Sequence, residues 1–442
     1  MLGPKTSVLR SQRDINLWRI PLLLSLAAVG LFAVTMVPDV LAAMGIIHIP
    51  SWLTMGSIDD ARAILSATMG AVATVLALIF SVALLVLSMI ATLFGPRLLY
   101  RFLQDKVTQM TIGIFMATFV YISLVFLVTH QTSDSTFIPQ ISLIMSWVLV
   151  VVSFGFLVYY SHRIATSIQN PDLVAHVAGD IYPHASNAHE RGTFEGIGVA
   201  PEDDIVLREA SEGAVIRSTK SGYLQFIDHE VLVLATQKVG AKIIFRFRPG
   251  QFILRGEELA SVCPPEDITV LHDAIHRSVK IGNHRTLTQD SEFGIAQIVE
   301  IAIRALSPAV NDTFTGMACV DWLGDVLIGL AENPPLEGNW FDLDGTLRVW
   351  MPAIRLERLA KHAFDLIRQS AVQNPAVLIR QLDSIRRLAP RMPEPAKLVL
   401  AEQTKAIRDT EVTDVAAMDR RDIERAVERA RRALKMDTHF WE

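Results

Sequence analysis

The sequence has few cysteines: only Cys263 and Cys319 occur among its 442 residues. Two widely separated thiols cannot build a disulfide framework, and they lack the paired spacing of cysteine metal sites. We therefore expect buried free thiols in a reducing compartment. The sequence also has no surplus of basic residues, because 41 Lys and Arg stand against 46 Asp and Glu. Without a basic surface, nucleic acid is not an expected partner.

The recognisable sequence motifs of enzymes are absent as well. The chain contains no HExxH, GxGxxG, GxxxxGK[ST] or GxSxG pattern. Those spacings bind zinc, dinucleotides or phosphates, or present a nucleophilic serine. No nucleophile–base pair and no metal-ligand spacing appears either. The sequence therefore predicts a protein that is not an enzyme and that has no cofactor.

Long apolar runs are present, and nearly all of them lie before residue 161. A helix needs about 20 apolar residues to cross a bilayer. Four runs fit this length: residues 20–37, 61–93, 110–128 and 138–160. No charged residue lies in their central turns, so no proton relay is expected inside the membrane. The composition predicts a four-helix transmembrane bundle (residues 1–163) followed by a large soluble part.

The basic residues of the short loops indicate how the spans are oriented, because Lys and Arg stay on the cytoplasmic side. They lie in the N-terminal tail and between spans two and three, whereas the opposite loops carry Asp39, Asp59, Asp60 and Asp134. Both termini are therefore predicted to be cytoplasmic. A cleaved signal peptide is the alternative for the first span. The long polar lead-in and the lack of a clear small-residue cleavage site favour an anchor.

The second span carries small and polar residues along one side. At 100° per residue they fall within about 80° of the helix surface. They are Ser66, Gly70, Thr74, Ala77, Ser81, Ser88 and Thr92. Two interpretations stay open. Small residues let membrane helices pack closely, whereas several copies of this helix around an axis would form a hydroxyl-lined pore. In a pore, Asp39, Asp59 and Asp60 would concentrate cations at the outer mouth.

Gly95-Pro96-Arg97 follows this stripe. Because proline cannot continue a helix, the tripeptide is predicted to end the second span. A hinge that transmits motion from the soluble part is the alternative. Residues 164–212 are then predicted to form a juxtamembrane helix and an acidic linker.

Residues 213–264 change to the two-residue period of β-strands. Short apolar runs alternate with Gly turns, as in SGYLQFID (221–228) and RPGQFILRGEELASV (248–262), and residues 231–235 are assigned to a further strand. The pattern resembles the barrel-sandwich hybrid fold of biotinyl and lipoyl carrier domains, which implies a small β barrel or sandwich. Lys238 and Lys242 lack the flanks of a carrier lysine, so the unit is predicted to be structural and unmodified.

Residues 265–339 hold the densest polar signals and are predicted to form a helical hairpin with a polar elbow. Ser291 is predicted to cap its first helix and Asp312 its second. Such residues ordinarily cap helices and tie a hairpin together; the alternative is a ligand pocket or a subunit contact. The candidate residues at this elbow are Arg285, Gln289, Asp290, Asn311 and Asp312. Residues 340–442 are predicted to form a C-terminal helical domain.

Four segments carry a resemblance to a known family: ATLFGPRLL after the second span, then RTLTQDSEFG, RALSPAVNDTFTG and NPAVLIRQLDSI. In these segments the chain resembles a bacterial family of predicted membrane proteins catalogued only as a domain of unknown function. The resemblance covers nearly the whole chain. It implies a multi-pass protein of the bacterial inner membrane with a cytoplasmic α+β part. It brings no established activity and no catalytic residues.

These observations favour a homo-oligomeric channel or permeation protein, with the cytoplasmic part assembling or gating it. The pore-lining candidates are Ser66, Gly70, Thr74, Ser81, Ser88 and Thr92. The expected partners are membrane lipid, further copies of the chain and an unidentified cytoplasmic ligand. The alternative is a membrane-tethered sensor or scaffold that binds a ligand or protein and has no pore.

Overall fold

The computed structural model describes residues 18–47, 57–94, 105–132, 135–168, 174–181, 203–332, 338–410 and 416–441. The chain divides into two compact units, Met1–Asn170 and Pro171–Glu442. Apolar helices occupy the first unit, and small sheets followed by helices occupy the second. The fold class predicted from the sequence is therefore confirmed.

Four long helices build the first unit: α1 (Arg19–Ala43), α2 (Ile58–Phe94), α3 (Lys106–Val128) and α4 (Gln140–Ile168). A short antiparallel hairpin of β1 (His130–Thr132) and β2 (Ser135–Phe137) lies between α3 and α4. Each of the four helices is long and apolar enough to cross a membrane, as the sequence predicts. The α3 helix packs against the other three, and α2 contacts mainly α3.

The α2 helix is longer than a bilayer requires. Its 37 residues extend about 55 Å at ~1.5 Å per residue, against a hydrocarbon core of about 30 Å. Among its described side chains, up to Met89, one face is buried in the bundle, and that face consists of Ile58, Ala61, Leu65, Val72, Ile79 and Val86. Gly95-Pro96-Arg97, predicted to end this helix, lies outside the described residues.

Short helices and strands alternate at the start of the second unit. In chain order they are α5 (174–181), α6 (Asp203–Glu212), β3 (Ala214–Arg217), β4 (Gly222–Ile227), α7 (His229–Val239), β5 (Lys242–Phe245), β6 (Phe252–Ile253), β7 (Glu258–Cys263), α8 (Ile268–Ser278) and β8 (Val279–Gly282). Two later strands, β9 (Asn339–Phe341) and β10 (Leu347–Trp350), join them. The sheets have the orders β3–β7–β5–β10–β9 and β6–β4–β8. Ile216, Leu224, Phe245 and Trp340 belong to their shared core.

One strand predicted from the sequence is wrong, because residues 231–235 lie in helix α7. Asp228 caps this helix by accepting a hydrogen bond from the N–H of Val231, and Gly240 ends it at a φ of 76°. The sheets also extend beyond residues 213–264. Strand β10 pairs in parallel with β5, and β8 pairs with β4. Distant segments therefore complete the β unit.

Helices make up the rest of the second unit: α9 (Ser291–Ala305), α10 (Thr313–Glu332), α11 (Leu356–Ser370), α12 (Pro375–Leu388), α13 (Glu394–Arg408), α14 (Ala417–Leu434) and the short α15 (Thr438–Trp441). The α9 helix packs against α10 and α11, and α12 packs against α10 and α14. The C-terminal helical region expected from the sequence is thus present.

The α10 helix is a fifth segment that is long and apolar enough to span a membrane. Its apolar residues instead supply the core of the second unit, where Cys319, Leu323 and Leu327 are fully buried. Gly324 allows a close approach to α12, since a Cβ there would lie 2.5 Å from the Ser384 hydroxyl. Packing within a helical layer explains the composition of α10 without a membrane.

Candidate functional site

The hydroxyl-bearing stripe of α2 lies on the outside of the first unit. Its residues Ser66, Gly70, Thr74, Ser81 and Ser88 are all exposed. At 100° per residue they lie on the side of the helix opposite to the buried face that contains Leu65 and Val72. The stripe therefore does not pack against the chain's own bundle. Packing against the described helices of the first unit therefore does not explain the stripe, and contact with lipid, water or another copy remains as an explanation.

The local geometry of the stripe suits a close approach by another helix. Gly70 has no heavy atom within 4 Å of an added Cβ, so this point of the surface is open. The Thr74 hydroxyl donates a hydrogen bond to the carbonyl oxygen of Gly70 at 2.8 Å. A hydroxyl satisfied by its own helix tolerates an apolar neighbour. Thr92 lies in α2, but its side chain is outside the described part of the structure.

Asp39 does not lie at an open mouth, where the sequence suggested it. Its carboxylate is buried and accepts hydrogen bonds from the N–H groups of Ile141 at 2.8 Å and Ser142 at 2.9 Å. The Ser142 hydroxyl donates a third, at 2.7 Å. Asp39 therefore caps the N-terminus of α4 and ties it to α1, which satisfies donors that lipid cannot.

The other two acidic candidates remain at the start of α2. Asp59 and Asp60 are exposed. The Ser57 hydroxyl donates to the Asp60 carboxylate at 2.7 Å and accepts the Asp60 N–H at 3.1 Å, which is a capping arrangement. Both carboxylates thus lie at one end of the exposed stripe.

The five residues of the predicted polar elbow do not form one site. Arg285, Gln289 and Asp290 precede the first residue of α9. Asn311 and Asp312 follow its last turn. The 15 residues of α9 separate the two groups by about 22 Å at ~1.5 Å per residue. A single pocket built from all five is therefore ruled out.

At the far end of α9, Asp312 caps α10. Its carboxylate accepts the N–H of Thr315 at 3.1 Å and the Thr315 hydroxyl at 2.6 Å. These hydrogen bonds, led by that of the hydroxyl, lower the pKa of Asp312. Asn311 has a φ of 48°, a left-handed conformation that Asn adopts more readily than most residues. The contacts support a capping role for this end of the elbow.

Asp312→Ala is therefore expected to lower the free energy of unfolding by about 0.5–2 kcal/mol. Asp312→Asn and Asp312→Ser should restore most of that loss, because each keeps a side-chain oxygen near the Thr315 N–H. Thermal or denaturant unfolding of the full chain in detergent measures the effect. Unchanged unfolding in all three variants, together with an equal loss of function, would show that this turn is a binding site.

Arg285, Gln289 and Asp290 do meet at the start of α9. Gln289 exchanges two hydrogen bonds with the backbone of Ile227, at 2.9 and 3.0 Å. Asp290 receives two from Arg285, at 2.7 and 2.9 Å, and one from the N–H of Phe293 at 3.1 Å. Asp290, and not Ser291 as predicted, is thus the N-cap. Burial raises the pKa of Asp290, and Arg285 offsets this in part.

Gly250 makes room for the Asp290 carboxylate. It has a φ of +94°, and an added Cβ would lie 2.2 Å from the Asp290 Oδ2. Only glycine satisfies both the backbone conformation and the contact. The PG turn before β6 and the cap of α9 are therefore parts of one packed structure.

Glu292, in the first turn of α9, joins three segments of the second unit. Its side chain is only 4% exposed, and its Oε2 accepts from Arg248 Nη2 at 2.5 Å. Its Oε1 lies 3.1 Å from Arg358 Nε and 2.9 Å from His362 Nδ1. Burial alone would raise the pKa of Glu292, but the hydrogen bonds and charges of His362 and Arg248 lower it well below its ordinary value. The carboxylate is therefore held ionised.

Sequence reasoning missed Arg248, Glu292, Arg358 and His362. An acidic residue in a first turn is ordinarily explained by the helix dipole, so Glu292 gave no distinct signal. The one available clue was the i,i+4 spacing of Arg358 and His362, which puts both side chains on one face of a helix. Nothing local indicates that Arg248 reaches the same carboxylate.

A separate cavity of about 440 Å³ is lined by Glu209, Lys242, Cys263 and Arg348, among others. Lys242 Nζ pairs with Glu209 Oε2 at 2.5 Å, and the Cys263 thiol donates to the Glu209 carbonyl oxygen at 3.3 Å. Burial raises the pKa of Cys263, which keeps the thiol protonated at neutral pH and unreactive. Cys263 and Cys319 are both free thiols. In the described ranges no group of three His, Cys, Asp or Glu side chains forms a metal site.

The chain is similar in sequence to a family of predicted membrane proteins and to individual mycobacterial proteins. The sequence model of the family described as "Predicted membrane protein (DUF2254)" matches residues 15–387. Uncharacterised proteins of Mycobacterium bovis and Mycobacterium tuberculosis are each 28% identical to this chain over 366 residues, which is 80% of this chain and 68% of the relative. No solved structure matches the chain.

Proposed function

This chain belongs to DUF2254, a family of predicted membrane proteins, and from that premise we propose that it is a homo-oligomeric channel or permeation protein. In this proposal α2 of each copy faces a shared axis in the bacterial inner membrane. The second unit assembles or gates the path. The observation that carries the proposal is the exposed hydroxyl stripe on the side of α2 turned away from its own bundle.

An outward stripe of small and hydroxyl side chains contributes to assembly or permeation only if another helix or a permeating solute contacts it. Lipid tails gain nothing from Ser and Thr over Leu, whereas small residues let a second helix approach closely. Copies arranged around an axis would leave part of each stripe facing the interior, where hydroxyls replace the hydration of a passing ion or solute. Packing between copies and lining of a path thus use the same face.

The electrostatics at one end of α2 favour cations. Asp59 and Asp60 are exposed at the start of α2, and a ring of such carboxylates from several copies would raise the local cation concentration. Asp39 has no part in this ring because it caps α4. The proposed ring therefore takes two carboxylates from each copy, and not the three that the sequence alone suggested.

The proposed gating role draws on how the second unit begins. Helix α5 follows α4 in the chain, and its residues Val174, Val177, Ala178 and Ile181 are buried in the second unit. Ile181 packs so tightly on α9 that its Cγ1 lies 2.4 Å from the place of a Cβ on Gly294. A rearrangement around the first turn of α9 would therefore act on α5, the first described helix after the fourth span.

Two measurements on the wild-type protein test the proposal. Native mass spectrometry in detergent should show a closed oligomer, and purified protein in liposomes should pass ions or small solutes. A monomer or dimer without any flux would contradict the channel. That result would favour the alternative, a membrane-tethered sensor or scaffold whose second unit binds a ligand or protein.

The proposed orientation has both termini in the cytoplasm, on the strength of the loop bias in Lys and Arg. In a background carrying Cys263→Ser and Cys319→Ala, Thr132→Cys should react with an impermeant thiol reagent added to intact cells. Val215→Cys should react only after the membrane is permeabilised, since Val215 is 39% exposed but faces the cytoplasm. The reverse labelling pattern would overturn the orientation.

A further inference from the structure

Helix α11 presents two cationic side chains and an imidazole to solvent: Arg358, Lys361 and His362. The buried carboxylate of Glu292 contacts two of them, Arg358 and His362. We propose that Arg358 and His362 form a receptor for a phosphate-type anion, with Glu292 as the residue that positions them. This site lies apart from the stripe of α2 and does not depend on a pore.

Two guanidinium groups share one carboxylate at the first turn of α9. Asp290 is matched by Arg285. Glu292 is matched by Arg248, whose side chain is only 9% exposed. Arg358 is therefore a surplus charge, because it shares with His362 the one Glu292 oxygen that Arg248 does not use. A partly exposed surplus guanidinium attracts an anion from solution.

The contacts with Glu292 leave polar atoms of both side chains unused. Arg358 uses its Nε and His362 its Nδ1 for the same Oε1 atom, at 3.1 and 2.9 Å. This leaves the Nη1 and Nη2 atoms of Arg358 and the Nε2 atom of His362. The side chains are 53% and 42% exposed, so these atoms are within reach of a solute.

Phosphate fits this arrangement better than a halide does. Two guanidinium nitrogens can bind two oxygens of one phosphate in parallel, and a third, protonated oxygen can donate to the Nε2 atom of the imidazole. Because both inner nitrogens are already fixed on Glu292, little side-chain freedom is lost on binding. Lys361 adds a further positive charge one residue before His362. The anion can be a soluble phosphate or the phosphomonoester headgroup of a lipid.

The test uses the full chain in phosphatidylcholine nanodiscs titrated with inorganic phosphate, against chloride at equal ionic strength. Phosphate should raise the melting temperature in a saturable manner, as a ligand of the folded state does. Arg358→Gln should weaken the phosphate affinity by about tenfold or more, which corresponds to the loss of at least one charged hydrogen bond. Arg355→Gln is the matched control, because Arg355 is exposed near the same helix but pairs with Asp203.

A second arm separates the two sources of phosphate. If the headgroup is the ligand, nanodiscs with phosphatidic acid should stabilise the wild type but not Arg358→Gln, and soluble phosphate should act weakly. His362→Asn keeps a donor near Glu292 but removes the Nε2 atom, so it should also weaken binding. If Arg358→Gln fails to fold, the phosphate affinity of His362→Asn tests the proposal in its place. No saturable stabilisation beyond chloride in either arm, or full affinity in the folded variants, would overturn the proposal.

Discussion

Glu292→Ala is expected to lower the free energy of unfolding by about 3–5 kcal/mol, the usual cost of removing one partner of a buried ion pair. The reason is Arg248, whose side chain is 9% exposed and would keep its charge without a carboxylate. Arg358 and His362 are partly exposed and can turn to water, so they add little to the loss. Denaturant unfolding of the full chain in detergent gives the value.

A partly exposed ion pair in the same unit serves as the control. Glu258 lies 3.0 Å from Arg246, and these side chains are 33% and 26% exposed. Glu258→Ala should cost only about 0.2–1 kcal/mol, because water screens the pair and solvates the arginine that remains. If Glu292→Ala costs no more than Glu258→Ala, the carboxylate of Glu292 is hydrated and the anchoring role assigned to it is wrong.

Glu292 also predicts how the stability of the folded protein depends on pH. The pKa of Glu292 is lowered in the folded protein, so its ionised form stabilises the fold at any pH above the ordinary Glu pKa of about 4.3. That contribution should be lost as the pH falls below this value toward the lower folded pKa. Asp290, whose pKa is raised by burial, works in the opposite direction. The acid-induced loss of stability should therefore be shallower in Glu292→Gln than in the wild type.

Features that depend on near neighbours were predictable from the sequence. Hydropathy identifies the four spans, because apolar length is a property of one segment. Asp312 was expected to cap α10, since its partner Thr315 is three residues away. The α7 helix shows the limit of such reasoning. Its short apolar run fits a strand or a helix equally well, and the cap Asp228 with the terminal Gly240 were the signals that decide for the helix.

Features that depend on tertiary packing were not predictable. Periodicity places the stripe on one side of α2, but only the packing of α2 on α3 shows that this side faces outward. Glu292 meets Arg248 from 44 residues before it and Arg358 from 66 residues after it. No local pattern links segments so far apart. The two halves of the predicted elbow failed to meet for a related reason, since a continuous helix holds them apart.

The outward stripe leads to the prediction that decides between a pore and a packing surface. Thr74, Ser81 and Ser88 follow a seven-residue spacing along the exposed side of α2. Water in a pore solvates an added charge, whereas a lipid-facing or tightly packed site penalises it by about 2.5–3.5 kcal/mol. Ser81→Asp should therefore insert, assemble and raise the flux of cations over anions in proteoliposomes.

Two further variants complete this test. Ser81→Leu should narrow and dry the path, which reduces flux with little loss of assembly. Phe80 is exposed at the same depth but lies about 100° around the helix, so Phe80→Asp should suffer the full insertion penalty that Ser81→Asp escapes. If Ser81→Asp fails to assemble, Ser81→Leu is also destabilised and the wild type passes neither ions nor small solutes, the stripe is a packing surface between helices. The membrane-tethered sensor would then be the better account of this protein.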